Sequence, residues 1–222
     1  KNYYISMNQK LNYAYLIGMA ITGSLGFWIL GYCFGYFNVF TSITHKQHMY
    51  YDKFVIEDED LFNSVVSGLI PIGAIFGSLM INPIVEMGRR TALILIAAVF
   101  TIASLSTMIF NFYFLVFGRL VMGVWVGAYV SVCPLFISEI SPVSISGSLG
   151  VMNQFMSICG LITAYFLSFM APYTDDKDLE TNQIWRLLFG FPAVITILQL
   201  ILLLTVFTLD TPEYYKSIED MN

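Results

Sequence analysis

The sequence predicts an all-α, polytopic membrane protein with six spanning helices, and three observations carry that expectation. Six intervals (11–44, 61–85, 91–118, 120–138, 140–174 and 187–209) contain no Asp, Glu, Lys or Arg. An apolar bilayer core about 30 Å thick takes roughly 20 helical residues per crossing, and each interval meets or approaches that length. Only 11% of the 222 residues are charged, against about 25% in a soluble domain that meets water on every side, and the mean hydropathy is +0.73. Lipid satisfies no backbone N–H or C=O, so a span is either a helix or a strand of a closed barrel. Without strict apolar alternation, helices are expected.

Taken in order, the spans are expected at 13–40, 61–84, 91–110, 114–137, 147–171 and 185–208, in one bundle covering residues 1–222. Between the first two lies a polar connector with His45, His48 and Asp52, a weak metal pattern. It offers no further ligand at a useful spacing, so solvated histidines, and no metal or cofactor, are expected. Glu57, Asp58, Glu59 and Asp60 immediately precede the second span. Carboxylates suit a helix N-terminus, and the spacing is not that of a calcium loop. The third and fourth intervals are separated only by Arg119; a turn at Asn111-Phe112-Tyr113 is expected to join the two helices. Cys33, Cys133 and Cys159 all fall inside apolar intervals, where a thiol packs as a small hydrophobe, so no disulfide framework is implied.

The net charge of −5 resides mainly in the connectors 52–60 and 175–180, and it argues against nucleic acid or anionic lipid as a partner. The chain starts at Lys1, and residues 3–10 lack the apolar core and cleavage site of a secretory signal; a processed chain or part of a longer one is expected. Six crossings place both ends on one side. Lys1, Lys10, Arg89, Arg90 and Lys216 then share that side and Lys46, Lys53, Arg119, Lys177 and Arg186 the other, so positive charge does not orient the bundle. Gly31 and Gly35, Gly73 and Gly77, and Gly123 and Gly127 are each four apart, the spacing at which membrane helices approach closely. Pro71, Pro134 and Pro192 lie within spans and are expected to kink or break them.

The run Gly118-Arg119-Leu120, Gly123, Gly127, Pro134, Ser138-Glu139-Ile140-Ser141-Pro142, Gly147, Leu149-Gly150 and Asn153-Gln154 closely resembles the sugar porter family of the major facilitator superfamily. Phe34-Gly35-Tyr36, Gly88-Arg89-Arg90 and Trp185-Arg186 are similar to the family at matching positions. The resemblance covers the whole chain and corresponds to the family's first six helices, two inverted three-helix repeats that hold substrate near the midplane against a second six-helix half. It implies that the Gly-Arg-Arg turn and both ends face the cytosol or its organellar equivalent. The implied partners are a small-molecule sugar, the lipid bilayer, and a C-terminal six-helix half or other membrane subunits. Integral, multi-pass insertion is expected in the plasma membrane or an organellar one, the mitochondrial inner membrane included.

A neutral sugar presents hydroxyls, so its site wants amides and aromatic platforms. Gln154 matches the family's fifth-helix glutamine, which hydrogen-bonds the sugar. Ser157, Ile158 and Leu161 share its helical face by spacing, and Phe34, Asn38 and Ser42 share a face of the first helix that resembles the family's cavity lining. A structural role remains open for both amides, as polar groups bonding across helices. Proton-coupled members carry an Asp directly after Phe-Gly-Tyr. Phe37 stands there, which implies facilitated diffusion.

Charged positions of the family's cytosolic gate are altered. Val85-Glu86-Met87 precedes Gly-Arg-Arg with one residue fewer than the family has. Ser146-Gly147 replaces Arg-Gly, and Leu209-Asp210-Thr211-Pro212-Glu213 replaces Pro-Glu-Ser-Pro-Arg. In the family these groups form ion pairs, and Arg89, Arg90, Glu139 and, as a substitute, Glu86 are the matching gate candidates. A charge-assisted bond is worth about 1.5–3 kcal/mol, enough to shift a gate equilibrium tenfold or more. Two readings follow: half of a facilitative monosaccharide carrier, or a transport-inactive half serving as a structural subunit of a larger membrane complex. An enzyme is not expected, because no nucleophile, base and orienting group occur together.

Overall fold

The computed structural model describes residues 13–52, 58–109, 111–142, 144–169, 184–212 and 214–216. Six long helices make up the bundle: α1 (Tyr13–Asp52), α2 (Glu59–Met80), α3 (Arg89–Ser106), α4 (Phe112–Ile140), α5 (Ser146–Phe169) and α6 (Ile184–Thr205). Each contains a segment long and apolar enough to cross a membrane. No strand occurs among the described residues. The protein is therefore an all-α, integral, multi-pass membrane protein.

Local chemistry sets the helix ends. Asp58 caps α2, its carboxylate accepting from the backbone N–H of Asp60 at 3.0 Å and Leu61 at 3.4 Å, so the acidic run serves the helix terminus. α2 stops at Met80, short of the expected 84; a one-turn helix, Asn82–Glu86, follows with a proline in its first turn. Gly88 then turns the chain into α3 with φ +119°, a conformation L side chains rarely adopt. The break between α3 and α4 comes earlier than expected. α3 ends at Ser106, and Asn111 is the cap of α4, accepting from Tyr113 N–H at 2.9 Å, because an Asx side chain satisfies a helix's first free donors. At its other end α1 continues to Asp52, beyond the expected 40.

The three interior prolines lie within continuous helices rather than breaking them. Pro192 has no N–H for the carbonyl of Leu188, four residues before it. The hydroxyl of Tyr32 on α1 donates to that carbonyl at 2.9 Å, so the vacancy becomes a tie between helices.

Packing follows a pairwise plan: α1 against α5, α2 against α4, and α3 against α6, with α4 also touching α1 and α3. Exchanging each helix with the one three places along turns the α1–α5 pair into α4–α2 and leaves α3–α6 unchanged. Two related three-helix units produce that plan. α1 and α4 form the core, with 61% and 56% of their spans buried, whereas α2 and α5 are flanks with 28% and 22%. Tyr32, Tyr36, Phe37, Tyr129, Phe136 and Phe189 fill the centre.

Candidate functional site

Glycine orients the flank that carries the candidate sugar residues. A methyl group added at Gly31 would collide with the carbonyl oxygen of Ser157, and one at Gly160 with that of Trp28. Gly35 faces Leu161 and Ala164, one turn further along, so α1 and α5 run parallel with their backbones nearly touching. Phe34 comes one residue before a contact position on α1. Gln154 and Leu161 come one residue after contact positions (Asn153 and Gly160) on α5. In a parallel pair those opposite offsets bring all three to the same flank of the seam. Gln154 is exposed, as are Phe34 and Ile158 at 46% each, while Ser157 and Leu161 are half-buried. Leu161 is level with Phe34, and Gln154 lies about two turns closer to the start of α5. Asn38 and Ser42 lie on α1 with side chains outside those described.

The gate candidates gather where α3 begins. Arg89 Nε donates to Glu139 Oε1 at 2.9 Å, tying the start of α3 to the end of α4. Glu139 Oε2 is buried without a partner among the described residues. Arg90 departs from the expected ion pair: its Nε donates to the carbonyl of Phe207 at 2.8 Å and its Nη2 to that of Leu203 at 2.8 Å, filling free acceptors at the end of α6. Asp210 was not a candidate from sequence, yet its Oδ1 accepts from Arg90 N–H at 3.1 Å and so caps α3, whose N-cap Gly88 has no side chain to do it. The signal was its place in the segment aligned with the family's Pro-Glu-Ser-Pro-Arg. Glu86 is exposed and forms no ion pair among the described residues.

Arg119 lies within the fourth span, as its expected bounds 114–137 place it, but it is buried in α4 with 1% exposure rather than serving as a charge of the far side. Its Nε donates to the Val66 carbonyl at 3.2 Å and its Nη1 to the Tyr36 hydroxyl at 2.9 Å, while the guanidinium carbon rests 3.8 Å from the centre of the Phe37 ring. A buried guanidinium is tolerated when its donors are taken and a ring face lies against it. An arginine between two apolar runs was the available signal. Among the described residues no cluster of His, Cys, Asp or Glu could hold a metal ion, and the side chains of His45 and His48 lie outside those described.

Residues 19–220 match the family model for "Sugar (and other) transporter". The chain is 33% identical to Hexose transporter 1 of Plasmodium vivax, covering 73% of this chain and 34% of that protein. It is 34% identical to the glucose transporter GlcP of Staphylococcus epidermidis, covering 68% and 35%, and 30% identical to Myo-inositol transporter 1 of Saccharomyces cerevisiae, covering 98% and 35%. Among solved structures, the inward-open xylose transporter XylE of E. coli is similar with a TM-score of 0.78 at 22% identity, over 90% of this chain and 49% of that one. The proton:xylose symporter XylE bound to 6-bromo-6-deoxy-D-glucose gives 0.80 at 24%, over 93% and 47%. The chain thus spans about a third of the length of these curated relatives and about half that of the solved structures.

Proposed function

The chain belongs to the sugar (and other) transporter family as the N-terminal half of a major facilitator fold, and from that premise we propose that it forms one lobe of a facilitative monosaccharide carrier. The sugar is held between this lobe and a second six-helix body, and the lobes expose it alternately to the two sides of the membrane. The observation that carries the reading is the shared flank of α1 and α5. There an exposed amide, Gln154, and an exposed ring, Phe34, stand on one side of a backbone-to-backbone seam with Ser157 and Leu161 between the helices. An amide donates to and accepts from sugar hydroxyls at once, and a ring packs against the C–H face of a pyranose. Arg89, Arg90 and Glu139 brace the charged end, where α3 begins and α4 ends and where a gate of this family lies.

Transport runs downhill and without a proton. Arg119, buried inside α4, lies against Phe37, and a phenyl ring has no proton to exchange. The test is uptake of a labelled hexose by the full-length protein in proteoliposomes. Uptake should saturate, ignore an imposed pH gradient, and fall about tenfold in Gln154→Ala, the equivalent of one lost hydrogen bond of about 1.4 kcal/mol. Uptake driven by an inward proton gradient would end the facilitator reading. An inert protein that copurifies at fixed stoichiometry with a large complex would favour the structural-subunit reading instead.

A further inference from the structure

We propose that Tyr165 is a further sugar contact: with Phe34 it forms a pair of rings that closes over the sugar on the side of Gln154 away from the charged end, and its hydroxyl selects among sugars by bonding to one of theirs. The inference rests on the sugar reading and adds to it a residue outside the sequence motifs.

The seam between α1 and α5 decides where the two rings stand. A methyl group added at Gly35 would lie 2.7 Å from the Cβ of Ala164, so these residues face each other across the seam. Phe34 precedes Gly35, and Tyr165 follows Ala164. Successive residues are about 100° apart around a helix, so in a parallel pair one step back on the first helix and one step forward on the second lead to the same flank. The two rings therefore border one contact at one level. That flank is the one that carries Gln154, because Gln154, Leu161 and Tyr165 form a single stripe of α5 at i, i+7 and i+11. The reciprocal contacts of Gly31 with Ser157 and of Gly160 with Trp28 hold this register.

Both rings are open to a ligand. Phe34 is 46% exposed and Tyr165 48%, although each adjoins a buried residue of the seam. Helical side chains lean toward the helix start, which tips both rings back toward Gln154 across the half-buried Leu161. Thr163 and Ser168 donate to the Cys159 and Ala164 carbonyls of their own helix, whereas the hydroxyl of Tyr165 bonds to nothing among the described residues. A pyranose offers an apolar C–H face to the rings and hydroxyls to the phenol. Selectivity follows, because an analogue lacking the matching hydroxyl leaves the phenol unpaired beneath it.

The experiment measures binding of glucose and its monodeoxy analogues to the full-length protein in detergent, for the wild type, Tyr165→Phe, Tyr165→Ala, Gln154→Ala and Phe166→Ala. Phe166 is 68% exposed and turned away from the seam. Tyr165→Ala should weaken glucose binding about tenfold and Tyr165→Phe about threefold, the worth of a ring contact plus a hydrogen bond and of the hydrogen bond alone. Phe166→Ala should leave binding unchanged. One deoxy analogue should bind the wild type less well than glucose yet bind Tyr165→Phe as well as glucose does, a pattern that a merely structural role would not produce. Equal effects of Tyr165→Ala and Phe166→Ala, or undiminished discrimination in Tyr165→Phe, would overturn the inference. If Gln154→Ala weakens binding and Tyr165→Ala does not, the inference falls and the sugar reading stands; a wild type that binds no hexose removes both.

Discussion

At the charged end of the bundle, Arg89 and Arg90 meet a carboxylate and a pair of helix-end carbonyls, whereas Arg119 in the apolar interior meets a carbonyl, a hydroxyl and the face of a ring. The same side chain is accommodated in two ways because the surroundings differ. Near the membrane edge the ion pair is mostly buried but keeps some exposure, so it costs less desolvation than it would in the apolar interior. In the interior a carboxylate partner would bring a second buried charge, with a penalty that its attraction to arginine need not offset. A ring supplies its negative face at no such penalty. Unlike a carboxylate, the ring carries no exchangeable proton, which is the support that the proposal of transport without protons draws from the packing around Arg119.

The contrast can be broken by substitution. Arg119→Ala should be the most damaging change, lowering stability by about 3 kcal/mol through the emptied volume and the orphaned Tyr36 hydroxyl. Thermal unfolding in detergent reads this, and a loss smaller than that in Arg89→Ala would reverse the ranking. Arg89→Ala should cost about 2 kcal/mol, because it strips Glu139 of its one described partner in a mostly buried setting. Asp210→Ala is the mildest, about 1 kcal/mol, the worth of a helix cap. It should show as faster amide hydrogen exchange at Arg90 and Thr91 with the rest of α3 protected as before. Uniform exchange along α3 would mean that Asp210 does not cap it.

The six spans were legible because charge-free length is a property of composition, and the acidic run 57–60 was legible as part of a helix N-terminus because carboxylates suit that place. Arg89 with Glu139 was legible through the family motifs. Asp210 was not, because its bond goes to a backbone N–H that sequence separation hides; it stood in an altered motif with no role assigned to it, and it is a cap. Arg119 fell inside the expected fourth span, but its burial was not legible, because only the convergence of Tyr36, Phe37 and Val66 from two other helices makes a cation tolerable inside α4. The α3–α4 break was drawn through Asn111 when Asn111 begins the next helix. The plan that pairs α1 with α5 was visible only as isolated glycine spacings, because helix pairing depends on which small faces meet, and Gly160 on α5 stood outside any such spacing.

The central claim is that the flank bearing Phe34 and Gln154 lines the sugar pathway rather than the lipid. Cysteine labelling with a charged, membrane-impermeant thiol reagent tests it directly, on Gln154→Cys and on Ile162→Cys, which lies on the face of α5 turned away from α1, both in a Cys159→Ala background. The expected result is reaction at position 154 that hexose slows, with no reaction at position 162. Equal silence at both positions, or labelling at 154 that hexose leaves unchanged, would contradict the claim.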